Sequence, residues 1–413
     1  CTCIIKTQCL PVLISLDFFI GLLYNISMKI VKAYKYKLKT NLILEGKLSQ
    51  ISGSCRFVYN LFLNQRIQEY KTDFVNVNYY DQAVQLPSLK EEYPWLKEVP
   101  SQALQQTLKD LDMAFKHFFR RCKNGEVPGF PRYHKKGIKD SFRYPQGVKV
   151  DGNKVYLPKV GWVKFYKSRD IEGTIKNTTI SRKCDGWYVS FQTEKIVSEP
   201  IHKSTTTVGI DRGVKHLAVC SDTTEINFNT NLDKWYARLT IEQRKLSRKK
   251  KFSNNWYKQK KVVSKIHKKI SNIRNDFLHK ESTKLSKNHA VIVLEDLKIR
   301  NMTKSAKGTI EEPGVNVKAK SGLNRVILMQ GWYSFQSMLE YKQKYSGGTV
   351  MYVNPKNTSL KCSKCGHISK NNRRSQALFV CEECSYTINA DYNASVNIKN
   401  SVGHTDYACG ESA

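Results

Sequence analysis

At 413 residues the chain is long enough for two to four domains of roughly 100–200 residues each. Its 69 Lys and Arg against 35 Asp and Glu give a net charge of +34, and 40% of the residues are hydrophobic. A globular protein with so positive a field attracts polyanions and binds them in a salt-sensitive way, as a ribosomal or general nucleic-acid-binding protein would. Four of the 12 cysteines form one spaced cluster and the other eight show no paired framework, which excludes a secreted disulfide scaffold and suits a reduced cytoplasmic protein, expected near the nucleoid.

Residues 1–27 stand apart. Position 1 is Cys, and Leu10 to Ile26 is an apolar stretch broken by Asp17. It is shorter than the ~20 residues that span a bilayer, and it lacks a basic leader and a small-residue cleavage site. Met28 opens "MKIVKAYKYKL", so translation is expected to begin there, with 1–27 as read-through or a leader. A signal anchor is the alternative, and no membrane partner is expected.

From Lys29 to Lys39 the residues alternate, Tyr34, Tyr36 and Leu38 against Lys35, Lys37 and Lys39, which predicts a half-buried strand with a basic outer face. Leu44, Leu48, Ile51, Cys55, Val58 and Phe62 form a helical stripe interrupted by Gly53. Leu104, Leu108, Leu111, Phe115, Phe118 and Cys122 form a second, predicted to be capped at Pro100-Ser101. Both stripes read as packing. Beyond Pro128-Gly129-Phe130-Pro131 the pattern turns to strands, with Asp151-Gly152 and Asp185-Gly186 as hairpin turns. The simplest arrangement is a β-barrel built from strand 29–39 and residues 128–198, with a helical bundle inserted. Ser198 to Thr207 reads as a polar linker.

"VGIDRGVKHLAVCSD" predicts a strand, a tight turn at Arg212-Gly213 and a second strand, with Asp211 at the sheet end. From Lys234 to Lys287 there are 18 Lys and Arg against three acids, with Trp235, Tyr236, Phe252, Trp256 and Tyr257 interleaved. That imbalance is too one-sided for ion-pair support along a helix and reads as a surface tracking a nucleic-acid backbone, with Lys245, Arg248, Lys249, Lys250, Lys265 and Lys269 as candidate contacts. "HAVIVLEDLKI" predicts a strand buried on both faces with Glu295 at its edge. Asp296 follows on the opposite face. Residues 301–322 read as a flexible loop.

Cys362 and Cys365 of "KCSKCGH" and Cys381 and Cys384 of "CEEC", with 15 residues between the pairs, have the spacing of a four-thiolate zinc site. Four thiolates leave no open position, so the zinc is structural, and His367, His404 and Cys409 are not ligands. Asp391 then opens the helix-like "DYNASVNIKN". Asp211, Glu295 and Asp391 thus arrive from separate elements. Oxygen ligands suit hard cations, so three carboxylates brought to one point would hold Mg²⁺ or Mn²⁺ and leave positions open for water and phosphate. Each acid taken singly would merely cap the next element; Asp222, Glu225 and Asp296 are nearby acids of that kind.

The order of these carboxylates resembles the ribonuclease-H-like nucleases of the RuvC kind, whose two metal ions sit roughly 3.5–4 Å apart and act on phosphate. With the cysteine cluster and "NADYNASVNIKN" added, the chain resembles the TnpB (OrfB) proteins of bacterial insertion sequences from about Met28 to Asn400. "CRFVYNLFL", "VPGFPRYHKK", "RNDFLHKEST", "LEDLKIRNM" and "NPKNTSLKCSKCG" belong to the same resemblance. It implies a multidomain α+β architecture: a wedge-type β-barrel (28–40 and 128–200) around a helical recognition bundle (41–127), then a RuvC-like domain (201–358). A zinc ribbon (359–387), a RuvC-like terminal helix (388–400) and a disordered tail (401–413) complete it.

The resemblance further implies an RNA-guided DNA endonuclease that reads a short transposon-adjacent motif while base pairing reads the target. Its partners would be a guide RNA from the transposon end, target double-stranded DNA and the element's companion transposase. In such a site Asp211 would bridge both cations while Glu295 and Asp391 each help hold one. Tyr59 and Gln105 match positions that face the motif DNA. The chain departs from the family pattern at Ser385, where Gly is common, and at Tyr392, where Arg is common. A cleavage-inactive guided repressor, an unguided resolvase and a strand-joining transposase are the competing readings.

Overall fold

A computed structural model describes residues 27–138, 140–228 and 232–404. The expectations for residues 1–26, for Cys409 and for the tail from 405 onward lie outside them. The chain divides after Ser198 into two compact units.

In the first unit, strand β1 (Ser27–Lys37) pairs antiparallel along its whole length with β7 (Gly186–Ser198). Strand β7 pairs with β6 (Thr174–Lys183), and β6 with β2 (Ser141–Tyr144), giving the order β1-β7-β6-β2. A second sheet holds β3 (Lys149–Asp151), β4 (Lys154–Leu157) and β5 (Gly161–Lys164). Both expected hairpin turns are present, between β3 and β4 and between β6 and β7. The sheets touch through a bridge from Leu38 to Phe165, and no closed ring of ladders is formed among the described residues.

Helix α1 (Leu42–Asp73) begins at Asn41, whose side chain accepts from the Leu44 amide at 2.8 Å, and it runs unbroken through Gly53. Helix α2 (Ser101–Lys123) lacks the expected side-chain cap: Pro100 precedes it, and the Ser101 hydroxyl instead accepts from Lys90 Nζ. Leu104, Leu108 and Leu111 are fully buried, whereas Cys122 at the far end is exposed. Helices and sheets share one core, in which Tyr36 packs on Phe165 (ring centroids 5.0 Å apart) beside Leu48, Val58, Leu104 and Trp187.

The second unit is built on a five-stranded sheet of order β10-β9-β8-β11-β12. Strand β8 (Thr207–Asp211) pairs antiparallel with β9 (Ala218–Cys220) and parallel with β11 (Val291–Glu295). Strand β11 in turn pairs parallel with β12 (Thr349–Val353), and β10 (Glu225–Ile226) closes the other edge. The link between β8 and β9 is a loop over residues 212–217, longer than the tight turn expected, because Arg212 is drawn inward and is only 4% exposed.

Alternation along the strands divides the side chains between two faces. Ile292 and Leu294 pack with Leu278 and Leu285 of α4 (Asn254–Asn288) and with Phe335 and Leu339 of α6 (Trp332–Ser346). Val293 packs on the opposite face with Ile398 of α7 (Ala390–Asn400). Helix α3 (Leu232–Ser247) lies along α4 over a small separate core of Leu232, Leu239, Val263, Ile266 and Ile270. The stretch expected as loop to residue 322 is helical from Val317, at the start of α5 (Val317–Gln330), so Gly322 sits inside a helix.

Candidate active site

The pleat brings Asp211 and Glu295 to one face. Ile210 and Leu294 are register partners on adjacent parallel strands, so the acids that follow them end neighbouring strands side by side. Val293, two residues before Glu295, packs against α7, and Gly209, two residues before Asp211, abuts the α7 backbone. Helix α7 therefore lies on the face that carries both acids, and Asp391 stands in its first turn. The helix is capped by Asn389, whose side chain accepts from the amides of Asp391 (2.9 Å) and Tyr392 (3.1 Å). A carboxylate in that turn is favoured by the helix dipole.

The three acids feel one another. Burial, reinforced by the charges of Glu295 and Asp391, pushes the Asp211 carboxyl up to about 7, against the opposing pull of Arg373 and Arg212. Each of the others has its own partner. Glu295 is buried and its Oε1 accepts from the Thr358 hydroxyl at 2.6 Å. Asp391 Oδ1 accepts from Arg373 at 3.0 Å. Arg212 donates to the Glu295 carbonyl and, at 3.1 Å, to Gln336, so it braces the strand end rather than the carboxylate. The nearby acids are engaged elsewhere: Asp296 with Lys298, Asp222 with His289 at 3.3 Å, and Glu225 near His216 at 3.6 Å.

The cysteines form a closed cluster. Cys362 and Cys384 Sγ lie 3.7 Å apart, Cys365 and Cys381 3.6 Å, and all four sulfurs lie within 4.8 Å of one another. Sulfurs at a disulfide bond would be ~2 Å apart, whereas a tetrahedron with metal–sulfur bonds of ~2.3 Å has edges of ~3.8 Å. The cluster thus fits one tetrahedral metal ion. Among the described residues this is the one group of metal-ligating side chains so tightly gathered, and Asp211, Glu295 and Asp391 do not form another.

Tyr59 lines a cleft of about 360 Å³ in the first unit with Arg56, Gln106, Asp110, His134 and Arg143, and its ring stacks on His134 at 3.8 Å. Gln105 is exposed and does not line this cleft; its neighbour Gln106 does. On the α3–α4 hairpin, Arg248, Lys250, Lys265 and Lys269 are exposed and Lys249 is half-buried. Lys245 pairs with Glu242 at 2.8 Å, and Lys269 stands 5.9 Å from the centre of the Trp235 ring. Arg373, Thr358 and Arg212 carry no signal of their own in the sequence. Only the position of Thr358 in "NPKNTSLKCSKCG", between the Glu295 strand and the first cysteine pair, marks its stretch as one to inspect.

Three family models match the chain: a "Helix-turn-helix domain" of the OrfB type over residues 28–73, the OrfB "Probable transposase" model over residues 190–306, and a "Cas12f1-like, TNB domain" over residues 332–398. "Putative RNA-guided DNA endonuclease InsQ" of Escherichia coli (strain K12) is 47% identical, the match covering 93% of this chain and 95% of the relative. A "Putative RNA-guided DNA endonuclease" of Streptomyces pristinaespiralis is 31% identical over 93% of this chain and 92% of its own. A solved Cas12f1–sgRNA–target DNA complex aligns with 90% of this chain and 99% of its own at 18% identity and a TM-score of 0.35. The chain belongs to the TnpB/OrfB family of insertion-sequence proteins, with a Cas12f1-like TNB domain near its C-terminal end.

Proposed function

We propose that this chain is an RNA-guided DNA endonuclease of a bacterial insertion sequence, which hydrolyses phosphodiester bonds of target DNA at Asp211, Glu295 and Asp391. The observation that carries this reading is the convergence of Asp211 and Glu295, at the ends of the paired strands β8 and β11, with Asp391 in the first turn of the helix packed on the same face. A half-buried carboxylate such as Asp211, raised by burial and by like charges, is poised for cations. Likeness along nearly the whole chain to a relative named as an RNA-guided DNA endonuclease supports the same reading.

The donor set is all oxygen, as hard cations require. Asp211, Glu295 and Asp391 would hold two Mg²⁺ or Mn²⁺ ions, which when bound would supply an activated water and charge stabilisation for in-line attack on phosphate. In this reading Asp211 would hold the ions together with Glu295 and Asp391, whose charges act on it. Arg373, already on Asp391, is placed to offset negative charge at that end of the site. The cluster Cys362, Cys365, Cys381 and Cys384 holds one structural zinc.

In this reading the paired sheets of residues 27–198 act as a wedge-type barrel and the helices between them as the recognition bundle. The Tyr59 cleft, with Arg56, Gln106 and Arg143, meets the transposon-adjacent motif, and Gln105 contacts DNA at its margin. The α3–α4 hairpin, with Lys245, Arg248, Lys249, Lys250, Lys265 and Lys269, tracks the backbone of the guide RNA, whose phosphates account for the charge. The element's companion transposase is a further partner. Among the described residues no helix is long and apolar enough to cross a membrane.

The test is to express the protein beside its native transposon end and sequence the RNA that co-purifies. A discrete structured RNA ending in a variable segment supports a guided enzyme. Heterogeneous cellular RNA without such a species contradicts it.

A further inference from the structure

The stretch between the Glu295 strand and the first cysteine pair is held by a buried hydrogen-bond relay. The Thr358 hydroxyl donates to Glu295 Oε1 at 2.6 Å, with Thr358 7% and Glu295 8% exposed. The Pro355 carbonyl, 3.1 Å from the same oxygen, competes for the proton, but the shorter contact to a charged acceptor is the stronger bond. The Thr358 carbonyl is itself held by Asn397 Nδ2 at 2.9 Å, and the same amide reaches the Lys361 carbonyl at 2.7 Å. Asn393, one turn earlier on α7, donates to that Lys361 carbonyl at 2.8 Å and accepts from the Ser363 amide, inside the first cysteine pair, at 3.0 Å. Asn393 and Asn397 are 0% and 4% exposed. The Thr358 hydroxyl and the side-chain amides of Asn393 and Asn397 are each bonded within this relay, so its geometry is fixed rather than averaged.

We infer that Thr358 is a positioning residue for the carboxylate site, resting on the nuclease reading above. A glutamate side chain has three rotatable bonds, and a lone carboxylate at a strand end would sample several rotamers. By occupying Oε1, the hydroxyl leaves Oε2 as the oxygen free to meet a cation and holds it in one place. Because the helix that carries Asp391 also carries Asn393 and Asn397, one rigid element sets its own acid directly and Glu295 through Thr358. The cysteine cluster enters the same framework through Ser363, which gives the metal-binding knuckle a structural bearing on Glu295. Partners of this kind, one bond removed from a metal ligand, change affinity by roughly 10–100-fold when deleted.

The experiment titrates Mn²⁺ alone into the full-length protein by calorimetry, using T358V, T358S, T358A and E295Q, with zinc content and melting temperature recorded for each. T358V and T358A, which both remove the donor, are expected to weaken Mn²⁺ binding about tenfold or more with zinc content retained, and T358S to restore it. In the guide-loaded protein, the Mg²⁺ concentration for half-maximal cleavage should rise by the same factor, while the rate at saturating Mg²⁺ returns close to wild type. Wild-type Mn²⁺ affinity in T358V and T358A, together with weakened binding in E295Q, would overturn the positioning role and leave the nuclease reading intact. Wild-type affinity in E295Q as well would overturn the carboxylate site itself, and this inference with it.

Discussion

Gly209 of β8 lies so close to Ser395 of α7 that a β-carbon at position 209 would stand 2.3 Å from the Ser395 carbonyl oxygen and 2.5 Å from the Lys399 amide nitrogen. Contacts that short do not occur, so the absence of a side chain is what lets the helix bearing Asp391 settle on the strand bearing Asp211. G209A should push α7 off the sheet, lower stability by about 1–3 kcal/mol and reduce cleavage further than lost stability explains. Thermal melts and single-turnover rates at a temperature where both proteins are folded will show this. An alanine variant with normal melting and rate would mean that the helix is not seated there.

Asp211 gives a pH dependence with a definite sign. Its carboxyl is raised from 3.8 to about 7, first by burial and then by Glu295 and Asp391. A carboxyl raised in the folded state penalises folding once ionised: the penalty is absent below about pH 4, grows up to about pH 7 and is complete above it. At its upper limit it amounts to about 4 kcal/mol. Metal-free D211N should therefore melt above wild type at about pH 8, with the gap narrowing as the pH falls below about 7 and closing by about pH 4. Added Mg²⁺ should raise the wild-type melting temperature more than that of D211N. A constant gap across this range would show that Asp211 titrates normally.

The cysteine cluster tests differently. Cys362, Cys381, Phe379 and Ala390 make up a buried core too small to fold a knuckle without a cross-link or metal. C381S should lose the bound zinc, measured as metal per chain by mass spectrometry, and should melt earlier. Undiminished zinc content in C381S would refute a four-thiolate site.

Ser385, next to the last cysteine, adopts φ 54°, a left-handed conformation that disfavours a residue with a side chain. S385G should relieve that strain and stabilise the knuckle by up to about 1 kcal/mol, seen as a higher melting temperature with zinc content unchanged. A lower melting temperature would show that the serine side chain contributes more than the backbone strain removes.

These residues also separate what the sequence made visible from what it did not. Asp211 and Glu295 were legible because each ends an apolar run, and a buried strand leaves a polar residue only at its end. The thiol cluster was legible because pairs of cysteines two residues apart have few other uses. The spacing of Asp211, Glu295 and Asp391 could not reveal their partners. Thr358 meets Glu295 and Arg373 meets Asp391 through loops whose paths follow no periodic pattern. The reach of Arg212 into the protein, which opens the expected tight turn into a loop, likewise depends on Gln336 and the Glu295 carbonyl, far away in sequence. The missing cap of α2, where the Ser101 hydroxyl accepts from Lys90, and the helical start at Val317, where Lys320 and Asn324 donate back to the Met302 and Thr303 carbonyls, are set by partners the composition does not mark.

The most direct measurement is single-turnover cleavage of duplex DNA that matches the co-purified guide and lies beside the adjacent motif, with wild type and D391A compared under identical guide loading and target binding. Loss of roughly a thousandfold or more in rate, with guide and target still bound, is the result the account requires, since a site deprived of a ligand forfeits several kcal/mol of transition-state stabilisation. D391A cutting at the wild-type rate would contradict it.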